Sequence, residues 1–104
     1  MHLGALREGT AHWMVGAYQL ALGEIDDAVS SFFLSVARYQ DGSAPGLVWL
    51  ARGYIAIAYE TADRPRPDGV VTSFDEVLAA IETGGFKDAV AWRDQLNVAR
   101  RAFT

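Results

Sequence analysis

Pro45-Gly-Leu-Val-Trp-Leu-Ala-Arg-Gly-Tyr-Ile-Ala-Ile-Ala-Tyr-Glu-Thr-Ala-Asp63 carries one charge between Leu47 and Tyr59, that of Arg52. Leu47, Leu50, Tyr54, Ile57 and Ala58 recur at three- and four-residue spacing, and Val48, Ala51, Ile55 and Tyr59 form the neighbouring stripe. That periodicity predicts a helix. A helix apolar on every side must be covered on every side, so this one is expected at the centre of the fold. Its ends are marked in the sequence. Pro45 suits the first helical position with Ser43 or Ala44 as cap, and Pro65 and Pro67 cannot continue the helix beyond Asp63. Roughly 17 residues between breakers is too long for an ordinary strand. A membrane span would need about 20 predominantly apolar residues, and Arg52 interrupts the run.

Working outward toward the N-terminus, Leu3, Leu6, Trp13, Ala17 and Leu20 share one helical face, with Met14, Tyr18 and Ala21 beside them. Gly4, Gly9 and Gly16 each cost about 1 kcal/mol against alanine in a helix interior, which weakens the first turns. Gly16 has a second use, the close approach of another helix. Leu22-Gly23-Glu24 reads as a tight turn. Ile25, Val29, Phe32, Phe33, Val36 and Tyr39 then mark a second amphipathic helix, with Asp26 and Asp27 in its first turn and Arg38 in its last, both favourable to the helix dipole. Asp41-Gly42-Ser43 separates it from the central helix.

Toward the C-terminus, residues 64–71 form a Pro-rich surface loop. Ser73 and Glu76 have capping-box spacing and open a short helix bearing Phe74, Val77, Leu78 and Ile81. Gly84-Gly85 ends it. A last helix is expected from Phe86 through Val90, Trp92, Leu96 and Phe103. The 104 residues thus read as one all-α domain of about five antiparallel helices, because short connections return the chain beside the element it left.

Composition narrows the function. A net charge of −4 and a pI near 4.9 disfavour nucleic acid, whose phosphates are bound by lysine and arginine. The absence of cysteine excludes disulfides, thiolate metal sites and cysteine nucleophiles. Met1 to Glu8 shows no signal-peptide pattern, and cytoplasm is the expected location. His2 and His12 stand in no metal-ligand spacing, so no cofactor or metal is expected. Arg7 and His12 have the spacing of a short nuclease motif, but five residues turn about 140° around a helix and separate the two side chains. Asp26-Asp27 and Asp75-Glu76 fall at helix starts, where the dipole accounts for them. Glu8 with His12, and Glu60 with Arg64, read as i,i+4 pairs on helix surfaces. No phosphate-binding or nucleophile-elbow motif occurs, and the chain is not expected to be an enzyme.

Trp13-Met-Val-Gly16, Gly23-Glu-Ile-Asp-Asp-Ala-Val29 and Phe32 together resemble a tetratricopeptide repeat, in which small and aromatic residues let two helices approach closely. Gly16, Gly23, Ala28 and Phe32 match the pattern; Trp13 sits one residue late and Gln19 replaces an expected tyrosine. A second, distorted copy begins at Trp49 with Gly53, displaced by the Pro-rich loop. The resemblance implies helical hairpins and a groove for a protein or peptide partner lined by Thr10, Trp13, Ala17, Leu20 and Ala21, then Leu50, Tyr54 and Ile57. The basic residues with which some members of that family clamp a peptide carboxylate are missing. The alternative is a compact helical bundle whose aromatic stripes are simply core.

The expected function is a non-enzymatic interaction or scaffold module that includes itself among its possible partners as a homodimer. A second reading is a small ligand-binding protein with a pocket around Trp49, Tyr54 and Tyr59 and Arg52 as its polar contact. Arg52 also has a plain reading, a packed stem whose guanidinium reaches the surface or a carboxylate.

Overall fold

In a computed structural model, residues 3–67 and 69–104 are described, and they form five helices: α1 (Leu3–Ala21), α2 (Ile25–Asp41), α3 (Pro45–Thr61), α4 (Phe74–Thr83) and α5 (Ala89–Phe103). Met1 and His2, and residue 68 within the 64–71 loop, lie outside the described residues.

The helices alternate in direction. Leu6 meets Gly42, Gly9 meets Tyr39 and Gly16 meets Phe32, so α1 and α2 run antiparallel. Phe32 packs on Tyr54 at 5.5 Å between ring centroids, while Gln40 lies beside Val48, which sets α2 antiparallel to α3. Contacts from Gly53 to Leu96 and from Glu60 to Arg100 run in the same sense, so α5 is parallel to α3 with α4 returning between them.

The α3 segment is the core. Val48, Leu50, Ala51 and the whole run Gly53–Ala58 are buried, against α2 on one side and α4 and α5 on another, with the edge of α1 touching as well. Ala44 caps the helix without a side-chain hydrogen bond, and Ser43 takes a left-handed φ of 55° in the turn before it. Phe32, Ile57, Ile81, Leu96 and Val77 are the largest side chains wholly shielded from water, and they come from four different helices.

Close packing leaves no room for a side chain at several glycines, Gly16 and Gly53 among them. A Cβ at Gly16 would lie 2.8 Å from the Phe32 ring, and one at Gly53 would lie 2.6 Å from Leu96. The helix-propensity cost of Gly16 is thus offset by the approach of α2, and α1 runs unbroken through Gly4, Gly9 and Gly16. Polar pairs lock the same interface: Ser35 Oγ donates to the Gly9 carbonyl at 2.8 Å, and Ser31 Oγ donates to Gln19 Oε1 at 2.7 Å. Gln19, out of place in the repeat pattern, has its partner here.

Ser73 Oγ accepts from the Glu76 amide at 3.2 Å, the cap read from their spacing. The last helix begins at Ala89 rather than Phe86. Phe86–Asp88 form a turn in which the Phe86 ring packs against Trp92, leaving three residues that the periodicity assigned to helix. The loop between α3 and α4 is anchored rather than loose: Val71 is buried, Arg66 donates to the Val71 carbonyl at 3.1 Å, and Arg64 pairs with Asp26 at the start of α2. Glu60 accordingly pairs not with Arg64 but with Arg100 of α5, at 2.8 Å, and Glu8 lies 3.6 Å from Arg38 of α2. These long-range pairs stand in place of the local ones expected from i,i+4 spacing; Arg64, the partner expected for Glu60, is turned to Asp26 of α2.

Candidate functional site

The α1 helix has two apolar faces. At about 100° per residue, Leu6, Gly9, Trp13, Gly16, Ala17 and Leu20 fall on one side, and Ala11, Met14, Val15, Tyr18 and Leu22 fall within an arc of about 100° on the other. Only the first is covered. Met14, Val15, Tyr18 and Leu22 are 60%, 49%, 67% and 56% exposed, while Leu20 on the opposite face is 2% exposed. Arg7 sits at the N-terminal end of the open stripe and Glu24 just beyond its C-terminal end; neither makes an ion pair among the described residues.

The residues of the expected groove lie on the covered side or at its margin. Thr10 is exposed and shares a 2.8 Å hydrogen bond with the Tyr39 hydroxyl. Trp13 is half-buried, edge-on to Tyr54 at 5.3 Å, with its buried indole N–H unpartnered. Ala17 is half-buried, and Leu20, Leu50, Tyr54 and Ile57 are core. Ala21 is exposed. The apolar stripe read as a groove is therefore filled by α2 and α3 of this same chain, and the open apolar surface is the one turned away from it. Met14 and Tyr18 were visible in the sequence as a neighbouring stripe, but spacing alone does not say which stripe its own chain covers.

The second constellation separates as well. Trp49 and Arg52 come together, the guanidinium lying 4.7 Å from the centre of the Trp49 ring, at a recess of about 300 Å³ also lined by Gln40, Ser43 and Pro45. Tyr54 points elsewhere: its hydroxyl accepts from Gln95 at 3.0 Å and its ring meets Trp13 and Phe32. Burial raises the Tyr54 pKa above its ordinary value, and the Gln95 hydrogen bond opposes part of that shift. Tyr59 is half-buried and does not line the recess. An aromatic pocket of Trp49, Tyr54, Tyr59 and Arg52 therefore does not form, because successive positions around a helix as deeply buried as α3 face different neighbours. Gln40 and Ser43 could not be added from helical periodicity, since they arrive from the preceding helix and turn.

Little else has the arrangement of chemistry. Because α1 is continuous, Arg7 and His12 diverge around it. Asp26 of the first acidic pair is taken by Arg64. No three His, Cys, Asp or Glu side chains gather in a metal-holding group among the described residues. None of the described helices is long and apolar enough to cross a membrane. No protein-family model, no curated protein and no solved structure matches this chain.

Proposed function

We propose that this chain is a non-enzymatic helical interaction module that associates with a second copy of itself through the outer face of α1. One observation carries the reading: α1 is apolar on two opposite sides and its own chain covers one of them. A helix with apolar residues all round is ordinarily a buried helix, and a contiguous exposed apolar patch marks an interaction surface.

Charge selects the second copy as occupant. Arg7 and Glu24 bracket the stripe, Arg7 near the N-terminal end of α1 and Glu24 just past the turn that closes its C-terminal end. An antiparallel copy related by a two-fold axis near Val15 brings Arg7 of each protomer to Glu24 of the other, with Met14, Tyr18 and Leu22 between. Such an interface is self-complementary, as a closed dimer requires. The tetratricopeptide-like placement of Gly16, Gly23, Ala28 and Phe32 supports an interaction role, since hairpins of that kind present helix faces to partners. The cysteine-free, acidic composition suits the cytoplasm, where we place it.

Light scattering coupled to size exclusion, at two protein concentrations, tests the reading. Wild type is expected to have the mass of a dimer, and Tyr18→Glu the mass of a monomer with unchanged helical circular dichroism. A wild type that is monomeric at both concentrations contradicts self-association and leaves the α1 face to a different protein. A dimer that survives both Tyr18→Glu and Met14→Glu places the interface elsewhere.

A further inference from the structure

Arg52 stands in a position that its own chain does not explain. Among the described residues Arg52 has no carboxylate within ion-pair distance, as is also true of Arg7, Arg66, Lys87 and Arg101, but of these it alone lies on the core helix α3. Among the described residues it is also the only charged side chain lining either of two recesses that flank it. The larger, about 300 Å³, is formed with Gln40, Ser43, Ala44, Pro45, Val48 and Trp49. The smaller, about 100 Å³, is formed with Phe33, Val36, Ile55 and Val70–Thr72.

The geometry points to a binding site for a small amphiphilic carboxylate, with its carboxylate on the Arg52 guanidinium and its hydrocarbon body along Pro45, Val48 and Trp49. Three features converge on that chemistry. The Arg52 guanidinium lies over the Trp49 ring, a cation–π contact that holds it at the recess, and its N–H groups form the fork that a carboxylate accepts in two parallel hydrogen bonds. A single cation balances the single negative charge of a carboxylate, whereas a phosphate monoester, at about −1.5 to −2 near neutral pH, would leave charge unbalanced at a site with one arginine. The remaining lining is mostly apolar with two neutral polar side chains, Gln40 and Ser43, and the volume is at the small end of the range for ligand sites. The site shares no residue with the outer face of α1, so it stands whether or not the chain dimerises.

The test uses the indole N–H signals of the three tryptophans in a two-dimensional NMR spectrum of the full chain, Trp49 being assigned by its loss in Trp49→Phe. Titration with octanoate is expected to move the Trp49 signal saturably while Trp13 and Trp92 stay in place. Acetate, which lacks the apolar body, is expected to bind at least about tenfold more weakly, as is octanoate to Arg52→Gln. Arg52→Lys, retaining the charge without the fork, is expected to fall between. The proposal is overturned if octanoate gives no saturable shift. It is equally overturned if octylamine moves Trp49 as octanoate does, which would make the recess an apolar patch only, or if inorganic phosphate does, which would make it a general anion site. Should Arg52→Gln lose the dispersed spectrum of a folded protein, the octylamine, phosphate and acetate titrations of wild type still decide the matter.

Discussion

The two helices α1 and α3 pose the same problem and solve it differently. Both are apolar on opposite sides, and each uses a glycine to bring a neighbour close, Gly16 to Phe32 and Gly53 to Leu96. Around α3 the chain supplies three other helices and the edge of a fourth, and every position from Gly53 to Ala58 is buried. Around α1 it supplies α2 and a little of α3, and Met14, Val15, Tyr18 and Leu22 remain in water. All-round apolarity in a helix says that it must be covered; it does not say by which chain. Where the same chain provides the cover, the stripe is core, and where it does not, the stripe is an interface.

A cheap truncation on α3 would contradict its place as the core. Ile57→Ala removes a wholly buried side chain and is expected to cost about 2–5 kcal/mol, measured by urea unfolding at a dilution where the chain is monomeric. On the inner face of α1, Gly16→Val drives a side chain toward Phe32 and is expected to cost about 1–3 kcal/mol by overpacking, so that both helices prove close-packed where their own chain covers them.

Tyr54, where α3 meets the inner face of α1, sharpens the contrast further. Tyr54→Phe gives up the Gln95 hydrogen bond and is expected to cost about 0.5–1.5 kcal/mol at neutral pH. Its pH dependence has a definite sign. Burial raises the folded-state pKa, so above the ordinary value of 10.0 the unfolded chain loses the Tyr54 proton while the folded chain keeps it. Wild-type stability therefore falls as pH rises through that window, and the gap between wild type and Tyr54→Phe narrows. A gap that widens between pH 9 and 11 would contradict the burial of Tyr54. The smallest effect belongs to the outer face. Met14→Ala at the same dilution is expected to change monomer stability by no more than about 0.5 kcal/mol, against the several expected for Ile57→Ala. A cost near that of Ile57→Ala would mean that Met14 is covered by its own chain.

These differences show what could be read from residues alone. The boundaries of α2, α3 and α4 were legible because they are chemically marked: Gly23 in a left-handed turn, Pro45 at a helix start, Ser73 over Glu76, and prolines after Asp63. The centrality of α3 was legible because only Arg52 breaks its apolar run. The start of α5 was not, since Phe86 keeps helical spacing while its ring folds back on Trp92. The open face of α1 was not legible either, because Trp13–Leu20 and Met14–Tyr18 are equally good stripes until the position of α2 decides between them. For the same reason, the surroundings of Arg52 depend on Gln40 and Ser43, which no helical periodicity of α3 contains. Likewise Glu60 joins Arg100 across 40 positions although Arg64 is nearer in sequence.

Because the sequence contains no cysteine, a single introduced thiol reports contact between copies without ambiguity. Val15→Cys places it beside the expected two-fold axis on α1, and Val90→Cys, also exposed on α5 and somewhat more so, serves as the control. Under mild oxidation at a concentration where the protein is expected to be dimeric, Val15→Cys is expected to convert to a disulfide-linked dimer rapidly and Val90→Cys slowly, since a disulfide needs Cα atoms within about 7 Å. Equal rates for the two variants, or a Val15→Cys that stays monomeric, would contradict the account of α1 as a helix completed by a second copy.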